Sequence, residues 1–371
     1  MRTGSQQLKD VIEGGAMKAT LVGDVVRGAD RLLEGVSFES WSLTGDYDAD
    51  IKSGGDVTLL YAGDFADSVS PRELTDILAP YGSEIHLYMA IAAENFSGRV
   101  AMGKYRIDGV PSATDSSIVH REHLITVGSV VQLRLLDRMR NVQRAPFRSL
   151  EQPTSLTSAW AELGRITRLP LTRNVGDVAI PSTLVYPRSR LETAQLLAQL
   201  LGGRPYLTEF GTVAILPDTA GSVVATIQTG PQGSIGELKY SMESEDVYNV
   251  VVGDLEAADG TPIHVEAEIT DGPLAVESYG ENVSFYERPD KELITDTTTA
   301  QAAVNTELTR VSQTGYYELP IQCRLNPLLE IGDVIQAETV DRLITGRIRK
   351  TEMNRSGPMS LTLAVISDVA N

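Results

Sequence analysis

The chain has 371 residues, and at about 150 residues per domain this length predicts two or three domains. Its 32 Lys and Arg against 50 Asp and Glu give a formal net charge of −18, which argues against a protein that coats nucleic acid, because phosphates repel such a surface. The single cysteine, Cys323, excludes an internal disulfide framework and a Cys-rich zinc site. No apolar run approaches the ~20 residues of a membrane helix, and the first residues lack the apolar stretch of a signal peptide. We therefore expect a soluble protein made in a cytoplasm, without membrane insertion.

Residues 1–35 are predicted to form an N-terminal arm with a short polar helix, which begins at Ser5 and stops at Gly14 and Gly15. Residues 36–150 are predicted to form a β domain, since short apolar segments recur every ~8–12 residues with Gly, Asp and Pro between them. In the segment SEIHLYMAIA, apolar side chains alternate with others at the two-residue period of a strand with one buried face. The pattern favours an antiparallel sheet that can close into a barrel.

The hydrophobic period changes in residues 151–225, which are predicted to form an α/β insert. Thr154 and Ser155 can cap a first helix that continues through Trp160. A second helix begins near Ser189 and ends at a pair of glycines. Two short strands follow, in RPYLTEF and TVAILPD, so the insert should contain two helices and a hairpin.

Strand patterns return in residues 226–295, which are predicted to form a β-hairpin module with its turn at Asp259-Gly260. Residues 296–371 are predicted to form a helix capped by Asp296, followed by a second β domain built as a meander. The order of these segments predicts a mainly β fold with an α/β insert, in which two antiparallel β domains frame smaller modules.

Charge is distributed unevenly along the chain. Residues 237–296 hold 16 acidic residues against three basic ones, whereas residues 134–148 and 342–355 are basic. Ordinary solvated faces account for such runs. The alternative is that basic and acidic edges meet between subunits and set the register of an assembly.

Residues able to carry catalysis are sparse. His120 and His123 form an H-x-x-H pair without the third ligand that a zinc site needs, and His264 lies within an alternating strand. Cys323 has no histidine within 50 residues of it in sequence. We therefore predict no catalytic residue, no metal site and no cofactor. Acidic pairs are so numerous that a glycosidase dyad stays open as an alternative.

Asp46, Asp48 and Asp50 imitate the first half of a calcium-binding loop. The sixth position, which requires Gly, is Ile51, and the twelfth, which requires Glu, is Val57. The favoured interpretation is a polar turn or the acidic face of a strand.

The most specific segment is a turn that follows the Ala- and Thr-rich helix TTTAQAAVNTELTRV and a strand. Its defining residues are Asn326, Pro327, Leu328, Gly332, Asp333 and Val334. Pro stops the preceding strand, Gly permits a tight reversal, and the Asp carboxylate can accept hydrogen bonds from nearby backbone N–H groups. Leu and Val on either side of the reversal are expected to plug the end of the second β domain.

This N-P-x-L-x-x-G-D-V turn resembles the signature of hub-type minor tail proteins of long-tailed bacteriophages, and looks most like those of siphophages that infect actinobacteria. Other segments match the same family in the same order: PYGSEIHLYMAI and GKYRIDGV in the first β domain, the second helix and hairpin of the insert, and VYNVVVGDLEAADGTPIHVEAE. The resemblance covers most of residues 35–368.

The resemblance implies two tube-type β domains per subunit and a homotrimeric ring at the virion tail tip, assembled in the host cytoplasm. Such a baseplate hub joins the sixfold tail tube and the distal tail protein to a threefold central fibre or spike. Its expected partners are the other copies of the homotrimer, the distal tail protein, the tail tube or the tape measure protein or both of these, and the fibre or spike. Genomic DNA passes the ring without specific binding. The alternatives are a receptor- or carbohydrate-binding virion protein, which needs aromatic-lined pockets, and a β-rich cell-wall hydrolase.

Passage of DNA carries an electrostatic requirement, because a basic lumen would hold each phosphate it met. The candidate lumen carboxylates are Asp46, Asp48, Asp50 and Asp56. A strand directs alternate residues to one face, so these four could line the bore together and repel the duplex within a Debye length of about 8 Å. The alternative is that they solvate the outside of the ring.

Overall fold

The computed structural model describes residues 1–62, 68–120, 123–182, 184–230, 233–239, 247–256, 261–286, 294, 296–316 and 318–370. The predicted Asp259-Gly260 turn lies outside the described residues. Among those that are described, no helix is long and apolar enough to cross a membrane.

Six strands of the N-terminal half close into a barrel. They are β1 (Lys18–Arg27), β2 (Asp30–Asp46), β3 (Ser53–Tyr61), β4 (Ser83–Ala93), β5 (Phe96–His120) and β6 (His123–Asp137). Neighbouring strands are antiparallel in the order β1-β4-β5-β6-β3-β2, and β2 pairs again with β1 to close the circle. In β4, Ile85, Leu87 and Met89 are buried and alternate with half-buried residues, as the sequence period predicted. We call this unit the first barrel.

The N-terminal segment is part of this architecture. Helix α1 (Gln6–Gly14) is capped by Ser5 and ends at Gly15, whose φ is 72°, so the predicted helix is confirmed. Its buried side chains, Leu8 and Ile12, join the core that the barrels share. The rest of residues 1–35, expected to form an arm, contributes β1 and the beginning of β2 to the first barrel.

The insert begins after β6. Its elements are α2 (Met139–Gln143), α3 (Ala159–Thr167), α4 (Arg190–Leu200), β7 (Gly203–Leu207) and β8 (Val213–Pro217). α4 is capped by Ser189, and β7 pairs with β8 in an antiparallel hairpin, both as predicted.

The start predicted for α3 is wrong by several residues. Ser158 is the cap, and its hydroxyl accepts a hydrogen bond from the Ala161 N–H. The backbone N–H groups of Thr154 and Ser155 instead donate to the buried Glu162 carboxylate. The buried Glu162 carboxylate thus binds the segment that precedes α3.

The remaining elements are β9 (Val223–Gln228), β10 (Ile235–Leu238), β11 (Val250–Glu256), β12 (Pro262–Glu268), α5 (Val276–Tyr279), β13 (Val283–Phe285), α6 (Thr297–Tyr316), β14 (Glu318–Cys323), β15 (Val334–Glu338), β16 (Arg342–Asn354) and β17 (Met359–Ala370). Strands β11, β12 and β13 form a small sheet, and α6 packs across it to enclose a separate apolar core. We call this unit the module.

The C-terminal strands form a second six-stranded unit in the order β9-β15-β16-β17-β14-β10. We call it the second barrel, although its end strands, β9 and β10, are not paired with each other among the described residues. β9 and β15 are parallel, and the other pairs are antiparallel. The end of β2, Ser42–Asp46, pairs with Asn354–Lys350 of β16, so the two barrels are one continuous sheet. Leu133 of the first barrel and Ile344 of the second belong to the same apolar core. The predicted mainly β fold with an α/β insert is confirmed.

Candidate functional site

The segment with the tail-protein resemblance connects β14 to β15 at the end of the second barrel. Asn326 accepts a hydrogen bond on Oδ1 from the Leu328 N–H at 3.1 Å, which tightens the chain around Pro327. Leu328 is buried in the core shared by the barrels, and Val334 is buried at the start of β15. Both apolar residues that flank the reversal therefore face inward.

Gly332 and Asp333 fix the reversal itself. Gly332 has a φ of +86°, and its N–H donates to the Ile348 carbonyl at 2.8 Å. The Asp333 carboxylate accepts from the Glu330 N–H at 2.9 Å. A Cβ on Gly332 would lie 2.6 Å from Cδ2 of Leu216, which belongs to the insert. The turn thus brings β16 and the insert into close contact.

The N-terminus reinforces the same turn. The Arg2 guanidinium donates to the carbonyl oxygens of Pro327 at 2.9 Å and Leu329 at 2.8 Å. The amino group of Met1 forms an ion pair with Glu330 at 3.0 Å and contacts Asp333. Burial raises the pKa of the Asp333 carboxyl.

A second polar cluster surrounds Tyr47, in the turn between β2 and β3. Four cations lie near its buried ring: Arg349 at 4.6 Å, Arg204 at 5.1 Å, Arg347 at 5.7 Å and Lys52 at 5.8 Å from the ring centre. Such contacts stabilise a cation over an aromatic face. Arg204 belongs to the insert and the two other arginines to β16, so the ring lies where both barrels meet the insert.

The candidate carboxylates lie close to this cluster. Asp46 accepts on Oδ1 from the Asp48 N–H at 2.8 Å. Asp48 forms an ion pair with Arg204 at 2.8 Å and a second one with Arg349. Asp46 therefore stabilises the turn itself, and Asp48 connects the turn to the insert and to the second barrel.

Asp50 and Asp56 are exposed. Asp50 accepts a hydrogen bond from the Gln195 side chain at 2.8 Å, and Arg134 lies 3.9 Å from Asp56. The expectation that all four carboxylates alternate on one strand face is wrong, because Asp48 and Asp50 lie in the turn between β2 and β3. The alternative interpretation, a polar turn, describes that stretch.

Two buried charges lie beneath the turn. Lys52 donates from Nζ to the carbonyls of Tyr47 at 2.7 Å and Ala49 at 3.0 Å, and burial lowers its pKa to about 8. Asp137, at the end of β6, accepts from the N–H groups of Ser53 at 3.0 Å and Met139 at 2.8 Å. Burial raises the pKa of Asp137 to about 6.

The other residues considered for chemistry are dispersed. Cys323 is buried in the shared core, and burial raises the pKa of its thiol to about 12. His264 lies exposed on β12 between the carboxylates of Asp254 at 2.7 Å and Glu266 at 2.9 Å, and hydrogen bonds to both raise its pKa. The side chains of the His120 and His123 pair lie outside the described atoms. Within the described part of the chain, no group of three or more potential ligands could hold a metal ion.

The arginines around Tyr47 are the part of the site that sequence reasoning missed. Arg347 and Arg349 are two residues apart in a strand and therefore point to one face, which is a signal that the sequence does contain. Arg204 and Tyr47 come from distant segments, and only the fold brings them to that face.

Two barrels joined through one long strand, with an insert and a helix-covered module, define a fold found in bacteriophage tail proteins. The tail protein from Neisseria meningitidis MC58 shares it with a TM-score of 0.61 and 10% identity, over 92% of this chain and 96% of that one. For the 43 kDa tail protein of prophage MuSo2 from Shewanella oneidensis, the TM-score is 0.57 and the sequence identity is 10%, over 94% of this chain and 100% of that one. For prophage tail protein gp18 from Listeria monocytogenes EGD-e, the TM-score is 0.52 and the sequence identity is 9%, over 93% of this chain and 94% of that one.

No family model matches the sequence, and no curated protein matches it. At sequence identities of 9–10%, the similarity to these tail proteins is a similarity of fold. The narrower resemblance to proteins of actinobacterial phages stays a prediction.

Proposed function

We propose that this chain is a non-enzymatic structural protein of a phage virion, in which it forms the hub of the tail tip or baseplate. The observation that supports this most is the extent of the structural likeness. It runs over more than nine-tenths of this chain and of each of three tail proteins, so both barrels, the insert and the module are shared rather than a single barrel.

The proposed assembly is a closed homotrimeric ring in which first and second barrels alternate. Each subunit contributes two six-stranded units, so three subunits present six, which suits a sixfold tail tube on one side and a threefold fibre or spike on the other. The distal tail protein and the tape measure protein are the further proposed neighbours. In such a ring, genomic DNA passes through the centre without specific binding.

The test is the mass of the purified protein in solution together with a negative-stain image. We expect three copies of the 40.1 kDa chain and a ring with a central hole. A monodisperse monomer that is also monomeric within virions would contradict the proposal. Incubation with cell walls and with glycans separates the other candidates, because a hydrolase releases soluble fragments and a receptor-binding protein retains specific sugars.

A further inference from the structure

A cavity of about 410 Å³ lies where all four units of the chain meet. Its wall includes Tyr47 from the first barrel, Arg204 from the insert, Arg310 from α6 of the module, and Arg347 and Arg349 from the second barrel. Three of its arginines also surround the Tyr47 ring.

Arg347 is the feature of this cavity that lacks an electrostatic explanation. The residue is only 9% exposed, and it donates to the Tyr47 hydroxyl at 3.2 Å and the Asp218 carbonyl at 3.0 Å. Neither acceptor carries a charge, and none of the described carboxylates lies within ion-pair distance of it. A buried guanidinium without a counter-charge is costly, because desolvation is not offset by an opposite charge.

The neighbouring charges do not supply the missing anion. Asp48 is shared between Arg204 and Arg349, and Glu307 pairs with Arg310. Asp218, which also lines the cavity, is among the described carboxylates that lie beyond ion-pair distance of Arg347. Arg349 is 8% exposed, and its Nε has no acceptor within the part of the chain that the structure describes. Both hydrogen bonds of Arg347 are donated by Nη1, and no described acceptor bonds its Nε or Nη2, so these are the donors that the cavity offers in a chain whose net charge is −18.

We propose that this cavity binds a small free oxyanion, a phosphate or carboxylate compound, with Arg347 as the principal ligand and with Arg349 and Arg310 contributing positive charge to its wall. The planar fork of an arginine matches the paired oxygens of phosphate and carboxylate groups. A bound oxyanion would connect α6 to β16 and so hold the module against the second barrel. The proposal rests on these contacts, and only the experiment that separates a free anion from a neighbouring subunit uses the ring of the proposed function.

The experiment titrates the full-length protein with inorganic phosphate and with citrate by calorimetry, at constant ionic strength maintained with chloride. Saturable binding is expected, with the anion raising the melting temperature of the wild-type protein. Phosphate also stabilises proteins non-specifically by exclusion from their surfaces, so the comparison between variants is decisive.

The central variant is Arg347→Gln, and its matched control is Arg342→Gln, which removes one positive charge from the exposed beginning of the same strand. Arg347→Gln is expected to weaken binding about tenfold or more, which corresponds to about 1.4 kcal/mol, whereas the control keeps wild-type affinity. If Arg347→Gln does not fold, anion affinity is compared for Arg310→Gln, which is also expected to weaken binding. This side chain lies on α6 and is 36% exposed, so its replacement disturbs the fold less. Absence of saturable binding to the wild-type protein, or equal loss in the control, would overturn the proposal.

A carboxylate of a neighbouring subunit would present the same chemistry as a free anion. Titration of the isolated subunit and of the assembled ring separates the two sources. Binding to both supports a free anion. Binding to the isolated subunit alone would overturn the free-anion proposal and assign the cavity to a neighbour's acidic side chain.

Discussion

Gly332 is the residue of the tail-protein turn whose backbone is most restricted. Its φ of +86° is a conformation that L side chains adopt only at a cost of about 1–2 kcal/mol. The Gly332→Val variant adds overpacking against Leu216, worth a further 1–3 kcal/mol or so. We expect a clearly lower free energy of unfolding for Gly332→Val, measured by urea denaturation.

Gly28 provides the matched control for this variant. Its φ is +62°, yet a Cβ there would meet nothing within 4 Å, so Gly28→Val carries the backbone strain without the contact. Equal destabilisation by the two variants would show that contact with the insert contributes nothing. A Leu216→Ala change should reduce the penalty of Gly332→Val, because neighbours in contact are not additive.

Asp137 gives a pH dependence whose sign follows from its burial. Its pKa is raised from 3.8 to about 6, so between these values the folded protein holds a proton that the unfolded chain has released. Its contribution to stability is therefore fully present below about pH 4 and is lost as the pH rises through about 6. Relative to Asp137→Asn, which does not titrate, the wild-type protein should lose roughly 3 kcal/mol over this window.

The measurement is urea unfolding of both proteins at several pH values between 4 and 8. Asn loses one of the two hydrogen bonds that the carboxylate accepts, so the variant is expected to be less stable at every pH. The test is therefore how the difference in unfolding free energy between the two proteins changes with pH. The exposed Asp56→Asn removes the same charge outside the core and serves as the control. A pH-independent difference between wild type and Asp137→Asn would contradict the assignment.

At the scale of single elements, local chemistry predicted most of the fold. Ser5 and Ser189 cap helices where the sequence placed them, because capping depends on residues within one turn. The prediction failed at α3, since the partner of Thr154 and Ser155 is Glu162, a buried carboxylate whose position depends on tertiary packing. Sequence periodicity likewise predicted separate β domains, but it contains no information that β2 continues into the second barrel.

The pairing of β2 with β16 therefore merits a direct test. A Cβ on Gly45 would lie 2.7 Å from the Thr351 hydroxyl and 3.1 Å from Ile331, so close approach of these strands requires glycine. Gly45→Val is expected to lower the free energy of unfolding by about 1–3 kcal/mol. In β5, Gly109→Val meets nothing within 4 Å and should be neutral or stabilising, because valine favours strands. Equal melting temperatures for the two variants would show that β2 and β16 can move apart without loss of stability.

At the scale of the whole molecule, the order of elements predicted two β domains separated by an insert, but not which elements each unit contains, since β9 and β10 lie in the second barrel and α6 in the module. The contacts between the units could not be derived from that order. The cluster around Tyr47 draws its arginines from residues 204, 347 and 349, and only the folded chain brings these positions together. The same contacts change the interpretation of the acidic turn. Asp48, although exposed, is a counter-ion to two arginines of the subunit, so Asp50 and Asp56 are the exposed candidates that remain for a proposed DNA channel.

The final prediction concerns that channel. If Asp50 and Asp56 face the bore of the proposed ring, replacing both with Lys puts positive charge where the phosphates of DNA pass, and retention should slow ejection. The control replaces Glu256 and Glu277, exposed on the module, with Lys and so changes the net charge equally. Ejection from phage particles carrying each variant is measured by dye fluorescence after triggering. We expect slower ejection, with a stronger effect at low salt, for the Asp50→Lys/Asp56→Lys particles only. Equal rates in both variants would place these carboxylates on the outside of the ring.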